Sequence, residues 1–333
     1  MSYQNMGNMN LGTMGGQGAK PFAMDAAGIA SGQAFLTSEL EKRDMLIRTP
    51  LTSFTYSRDI PVRVGGGWAE YVSAMGVGYG VTGGSGAGVI GAGAADGTPM
   101  VTADFSKDLW KTHGVNVGTR VFWVDMQRGN MTGRNMDTLL KDGVRMTYDK
   151  HMDENVYTGF AAYGSTGLVN NAGVTVTAAT GAFSTLTPDQ ILSDINSAIL
   201  RAWAASGYDL DAVPNHIIMP YTQFNYLATT RIGNLAEKTI LTFLLENNVA
   251  KQNGADLFIG ATAFCAGAGA GSTDRMVVYC NKERYVAVDE LVPLTRAMTS
   301  TNAERFSYDT AYAANVSETE IFYPETMQYV DGI

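Results

Sequence analysis

Two glycine triplets with the spacing G-x-G-x-x-G, Gly78, Gly80, Gly83 and Gly86, Gly88, Gly91, lie in the stretch GVGYGVTGGSGAGVIGAGAADG from Gly76 to Gly97. Such glycines can cradle a dinucleotide pyrophosphate when a buried strand delivers them to a helix N-terminus, whose free N–H groups and dipole bind the phosphates. Here the chain runs on into AGAADGTPM, where Gly93, Gly97 and Pro99 forbid a crossover helix, and Asp104 and Asp108 come before any helical pattern. The tract reads as a long loop joining two strands. An NAD(P)-linked enzyme using it stands as the alternative from another class.

The remaining chemistry-bearing residues are scattered. His113, His151 and His216 lie in separate segments, none with a second His or Cys three to five residues away, so the spacing of a metal site is missing. The segment GGSGAG around Ser85 misses the G-x-S-x-G elbow by one residue, and no Gly-Lys dipeptide offers a phosphate-binding loop. Asp149, Asp153 and Glu154 could be imagined as a general acid and base, but Lys150 among them suits a solvated helix face. His151 reads as a polar-face residue and His216, beside IIMP, as a satisfied core histidine. No catalytic, cofactor-binding or metal-binding residue is assigned.

Composition bounds the class. The chain has 333 residues, 45% of them apolar and 17% charged, enough for a substantial core. Its net charge of −9 argues against a dedicated nucleic-acid binder, whose footprint would be basic. Cys265 and Cys280 cannot form a disulfide framework and read as buried thiols. MSYQNMGNMN lacks the basic and apolar regions of a signal peptide, and no stretch approaches eighteen apolar residues, so the expectation is a chain made and kept inside a cell, away from membranes.

The elements that would carry these residues follow in order. About thirty Gly-, Met-, Asn- and Gln-rich residues form an arm that cannot fold alone, and 31–48 has helical spacing through Phe35, Leu36, Leu40 and Met45. Residues 57–125 read as two long strands joined by the glycine-rich tip, a hairpin without a core of its own, with VFWVDMQR continuing its second strand. Apolar side chains at Met136, Leu140, Val144, Tyr148, Met152, Val156 and Phe160 predict one helix over 135–163, capped by Asn135 and Gly164 and about 40 Å long. Thr187, Pro188 and Asp189 open a second helix. The second half mixes short strands (HIIM, ADLFIGAT, DRMVVYC, RYVAVDE) with helices in YTQFNYLATTRI and KTILTFLLENN, an α+β pattern.

This order of parts, with GLVNNAGV after the long helix, TPDQILSDIN opening the next, then TILTFLLENN, DRMVVY and the closing YPETMQYVDGI, resembles the major capsid proteins of tailed double-stranded-DNA bacteriophages, whose fold encapsulin shells share. The resemblance implies an N-terminal arm with a short helix (1–56), a hairpin called the E-loop (57–125), a peripheral domain (126–206 and 315–333) containing a spine helix, and an axial domain (207–314). It implies a structural subunit that assembles into an icosahedral shell around the phage genome, without a cofactor. An encapsulin-like compartment is the closer alternative.

Partners implied are further copies of the chain in pentamers and hexamers, portal and scaffold or decoration proteins, and packaged DNA touched non-specifically. The E-loop tip, with Gly78, Gly80, Gly83, Gly86, Gly88 and Gly91, is expected against an adjacent subunit. CAGAGAGSTD, with Gly267, Gly269 and Gly271, is the candidate ring-centre loop, since one sequence must there accept two packings. Lys20, Lys42, Arg43, Arg145 and Lys150 are candidates to face the lumen. The virion is the expected location, and the host cytoplasm before assembly.

Overall fold

The computed structural model describes residues 50, 52–82, 100–131, 136–233 and 238–333. The expected arm and its 31–48 helix, the tract 83–99 and the cap Asn135 lie outside the described residues. In chain order the elements are α1 (Tyr56–Asp59), β1 (Val62–Val64), β2 (Tyr71–Thr82), β3 (Met100–Phe122), α2 (Trp123–Met131), α3 (Met136–Thr158), β4 (Thr175–Ala178) and α4 (Pro188–Ala205). There follow β5 (His216–Met219), α5 (Tyr221–Thr229), α6 (Ile240–Glu246), α7 (Val249–Gln252), β6 (Phe258–Ala261), β7 (Arg275–Tyr279), β8 (Val286–Asn302), β9 (Ser307–Ser317), β10 (Glu320–Ile321) and β11 (Gln328–Asp331). Helices and strands are both plentiful, as the α+β reading expects.

The strands form two sheets. One has the order β1-β8-β9-β3-β2 with β10 beside β8, and the other β4-β11-β7-β5-β6. Strand alternation gives the second sheet two apolar faces. Ile218, Val277, Tyr279 and Tyr329 pack with Tyr148, Met152, Val156 and Tyr157 of α3 and with Val286, Val288, Ala314 and Val316 of the first sheet. Ile217, Met219, Met276, Val278 and Val330 instead meet Ile191, Ile195, Ala198 and Ile199 of α4 and Ile240 and Leu244 of α6. The helix α3 is therefore a spine, buried along the stripe Val144, Tyr148, Met152 and Val156 that its fourfold spacing predicts.

Several boundaries differ from the sequence reading. The spine stops at Thr158, because Gly159 turns left-handed (φ 79°) and a Cβ there would sit 2.5 Å from the Ser165 carbonyl. Phe160 is consequently off the helix. Gly164 caps only the following single turn of 3-10 helix. VFWVDMQR does not extend the second strand: β3 ends at Phe122 and Trp123 opens α2. SRDI is not extended either, since α1 winds one turn there to bury Asp59.

The sheets also divide the chain elsewhere than at 206/207 and 314/315. The helix α4, placed before that first boundary, packs against β7 and β11 of the second sheet. Strand β8 and most of β9, placed within 207–314, pair with each other in the first sheet, and β9 also pairs with β3. Residues 315–333 are shared, with Asn315–Ser317 in β9 and Gln328–Asp331 in β11.

Candidate assembly site

Among the described residues a two-stranded ribbon carries a row of exposed apolar side chains. Strands β2 and β3 pair antiparallel from Tyr71↔Lys111 to Thr82↔Met100, while the second half of β3, Thr112–Phe122, pairs with β9. The free ribbon thus occupies 71–82 and 100–111 of the expected 57–125. Residues opposite one another in such a pair share a face. One face carries Tyr71, Met75, Val77, Tyr79, Phe105 and Leu109, with Met75 74%, Tyr79 77% and Phe105 68% exposed. The other carries Gly76, Gly78 and Gly80 opposite Ser106, Asp104 and Thr102, and reaches the body at Trp110, whose ring meets Phe322 edge-on at 5.1 Å. A two-stranded ribbon with its apolar face in water is marginal by itself. Taking a Phe or Met from this exposure to burial contributes about 1–2 kcal/mol per side chain, so a covering partner would be well compensated.

This geometry argues against the dinucleotide reading at Gly78 and Gly80. Gly78 and Gly80 lie inside a twelve-residue antiparallel strand, and the next described element is another strand, β3. Among the described residues no helix N-terminus directly follows these glycines to meet a phosphate. Gly83, Gly86, Gly88 and Gly91 lie outside the described residues.

The ribbon root is tied to the body by few but specific contacts. Gly65, Gly66 and Gly67 all have positive φ (127°, 118° and 69°), a run that side chains would resist. Gly65 and Gly67 donate to the carbonyls of Glu290 and Leu291 at 3.1 and 3.2 Å, and Asn315 Nδ2 donates to Gly67 and Ala69 oxygens at 3.2 Å each. Before this run, Arg63 bridges Asp289 and the buried Glu320. Beyond the ribbon, His113 pairs with Glu318 at 3.0 Å and stacks on Tyr163 at 4.4 Å.

Upstream of the root, residues 55–61 form a strap between the spine and the second sheet. Thr55 and Tyr56 N–H groups both donate to Asp153 Oδ1 at 2.9 Å. Asp59, fully buried, receives Arg58 through two bonds of 2.6 and 2.8 Å, the Tyr157 hydroxyl, and His216 Nε2 at 3.1 Å. Burial pushes the Asp59 carboxyl up, but the bonds from His216, Arg58 and Tyr157 prevail and hold it below its ordinary range. His216 is the satisfied core histidine that its setting suggests. Asp153 is not on a solvated face: it is buried and half of the strap's anchorage, whereas Glu154, Lys150 and His151 are exposed. Nothing in the sequence singled out Asp59, although a lone acid in the apolar run DIPV is a signal for a paired buried charge.

The glycine loop 265–274 is pinned. Gly267 N–H donates to Asp274 Oδ1 at 3.0 Å, Ala270 N–H to Asp331 Oδ2 at 2.9 Å, and Asp331 is forked by Arg275 at 2.6 and 2.8 Å. A Cβ on Gly269 would lie 2.6 Å from Thr273 Oγ1 and 2.9 Å from Asp331 Cγ, while one on Gly271 meets nothing. Permissive backbone is therefore confined to Gly267 and Gly271, with φ of 66° and 68°. Arg145 and Lys150 are exposed on α3, Arg145 beside Asp149 at 3.9 Å, and Lys20, Lys42 and Arg43 lie outside the described residues. Both cysteines are buried and free, and burial pushes the Cys280 thiol up to about 11. Among the described residues no group of acidic, His and Cys side chains could hold a metal, and no helix is long and apolar enough to cross a membrane.

The sequence model of a family described as major capsid protein matches residues 86–333. The chain belongs to that family. No curated protein sequence matches it. Among solved structures, this capsid protein is similar to the capsid of Myoviridae phage XM1, at TM-score 0.75 and 18% identity, over 89% of this chain and 98% of that one. It is also similar to a chain of Microbacterium phage Oxtober96 (0.61, 14%, covering 90% and 98%) and to the capsid of an empty GTA particle (0.58, 10%, covering 90% and 97%). These likenesses show the fold, and family and fold together make the chain a structural subunit of a capsid shell. The α+β expectation and the tailed-phage capsid resemblance are both met.

Proposed function

We propose that this capsid subunit builds an icosahedral shell around a phage double-stranded-DNA genome, and that the ribbon 71–111 is the E-loop, closing on an adjacent subunit. The observation that carries this reading is the row of exposed apolar side chains along a ribbon with no core beneath it. A second copy is the partner in unlimited supply, and a surface left unsatisfied in the monomer is completed by assembly. In this reading the second sheet with α4 and α6 forms the axial domain at five- and quasi-sixfold rings, and the first sheet with the spine forms the peripheral domain. The GTA capsid that the chain resembles was computed with C5 symmetry, which supports fivefold rings.

Portal, scaffold or decoration proteins complete the particle, assembly takes place in the host cytoplasm, and no catalysis is required of the subunit. The test is negative-stain microscopy of the expressed full-length chain, followed by assay of nucleic-acid content. Closed shells, sheets or rings support the reading and persistently monomeric particles overturn it. Particles that enclose protein instead of DNA would favour the encapsulin-like compartment.

A further inference from the structure

Two carboxylates share one guanidinium at the root of the ribbon. Arg63 on β1 lies opposite Asp289 on β8 in parallel register, with Nε 2.5 Å from Asp289 Oδ1 and its terminal nitrogen 2.5 Å from Glu320 Oε2. Asp289 is partly exposed, but the Glu320 side chain has no exposure at all, and its Oε1 is buried without a hydrogen-bond partner. The groups facing the Glu320 carboxyl are Arg63 from β1, Asp289 from β8 and the Ser317 hydroxyl from β9. Ser317 is already committed, donating to the Glu318 carbonyl and accepting from the Asp289 N–H. One positive charge therefore serves two negative ones, and the excess sits on the carboxylate least able to bear it.

Two routes relieve that excess. Glu320 can take a proton, or the site can open and let water reach the bare oxygen. Opening would separate β1 and β10 from β8, which they flank through only three and two residue pairs. Gly65–Gly67 follows β1 directly, so freeing β1 also frees the backbone run that sets the direction of the ribbon.

We propose that Glu320 is a proton-held latch: protonated, it keeps β1 and β10 closed on β8, and on losing the proton it drives the root open and releases the ribbon to re-aim. Burial, then the neighbouring Asp289, raise the Glu320 carboxyl to about 7 against the pull of Ser317 and Arg63, which places the transition near neutrality. The sign follows from linkage. The closed form binds the proton more tightly than the solvated open form, so closure is fully favoured below the ordinary carboxyl range and is lost as pH rises through about 7.

Amide hydrogen exchange on the purified full-length chain from about pH 5 to 8.5, corrected for intrinsic rates, tests the latch. Opening of residues 62–70 and 318–322 should grow about tenfold per pH unit from the ordinary carboxyl range upward and level off at a midpoint near 7, while β7 at 275–279 stays constant. Glu320→Gln, a neutral isostere, should hold the root closed throughout. Asp289→Asn, which leaves Arg63 to Glu320 alone, should move the midpoint to lower pH. A flat wild-type profile, a wild-type slope in Glu320→Gln or an unmoved midpoint in Asp289→Asn would each overturn the proposal. If Glu320→Gln does not fold, the wild-type profile and the Asp289→Asn midpoint still decide it.

Discussion

The phenol of Tyr157, on the spine helix, donates its hydroxyl proton to the carboxylate of Asp59, ninety-eight residues earlier in the chain. That bond is one of four side-chain bonds converging on a fully buried charge. It fastens the strap that precedes the ribbon to the helix on which both sheets are packed.

Removing the charge while leaving its partners should be severe. Asp59→Ala is expected to cost about 3–5 kcal/mol in urea unfolding of the subunit, since Arg58, His216 and Tyr157 then lose their shared acceptor. Tyr157→Phe, which keeps the ring stacked on Phe264, should cost less, about 1.5–3 kcal/mol. Because the native Asp59 carboxyl is held below its ordinary value of 3.8, its stabilisation is present above that value and lost as pH falls through the lowered one. The wild type should therefore destabilise more steeply below about pH 4 than Asp59→Asn does, and parallel acid profiles would refute the assignment.

The exposed ribbon face makes a different expectation. Met75→Ser with Phe105→Ser removes apolar surface that contributes nothing to the monomer, so the melting temperature should move by less than about 2 °C. Assembly should fail or slow at least tenfold, read by light scattering and microscopy. Normal shell yield from this double variant would remove the ribbon from the contact. Deleting 80–93 should act in the same direction, leaving a soluble subunit that assembles poorly.

The glycine loop separates its three members. Gly269→Ala is expected to destabilise the subunit by about 1–3 kcal/mol, since the new methyl group collides with Thr273 and Asp331, and Asp331 is held by Arg275. Gly271→Ala meets no neighbour and carries only the cost of its positive φ, about 1 kcal/mol. If the loop lies at the ring centre, Gly267→Val with Gly271→Val should leave a folded subunit that forms tubes, sheets or free rings. Closed icosahedral particles from that variant would take the loop out of the mechanism.

How much of this was legible depends on the range of the signal. The spine stripe from Val144 to Val156, the Thr187–Pro188 helix start and the buried strands HIIM and RMVVY are local periodicities, and each stands where its pattern puts it. The helix start even completes its box, with Thr187 N–H donating to Gln190 at 3.0 Å. What failed is non-local. SYDTAYAANVS has weak strand propensity, yet becomes the eleven-residue β9 because β3 and β8 hold it from both sides. The two sheets interleave distant segments, so limits at 206/207 and 314/315 do not coincide with the edges of the sheets. Asp153 and Glu320 look like ordinary surface acids in sequence, and only the fold buries them.

The last expectation concerns DNA. Each subunit carries a net charge of −9, so a shell of many copies repels its contents unless cations gather on the inner wall. Arg145 and Lys150 stand exposed on the spine helix, and Arg145 is partly offset by Asp149. With Lys20, Lys42 and Arg43 they form the only set proposed for the lumen, too few charges per subunit to hold a polyanion by attraction. Contacts to phosphate would then be weak and salt-sensitive, and packing must rely on an external motor. Changing all five residues to Gln should leave shell yield unchanged and DNA retention within about twofold at moderate salt. Loss of the genome from intact shells of that variant would show that the wall binds its DNA, and the view of the shell as a passive container would have to be given up.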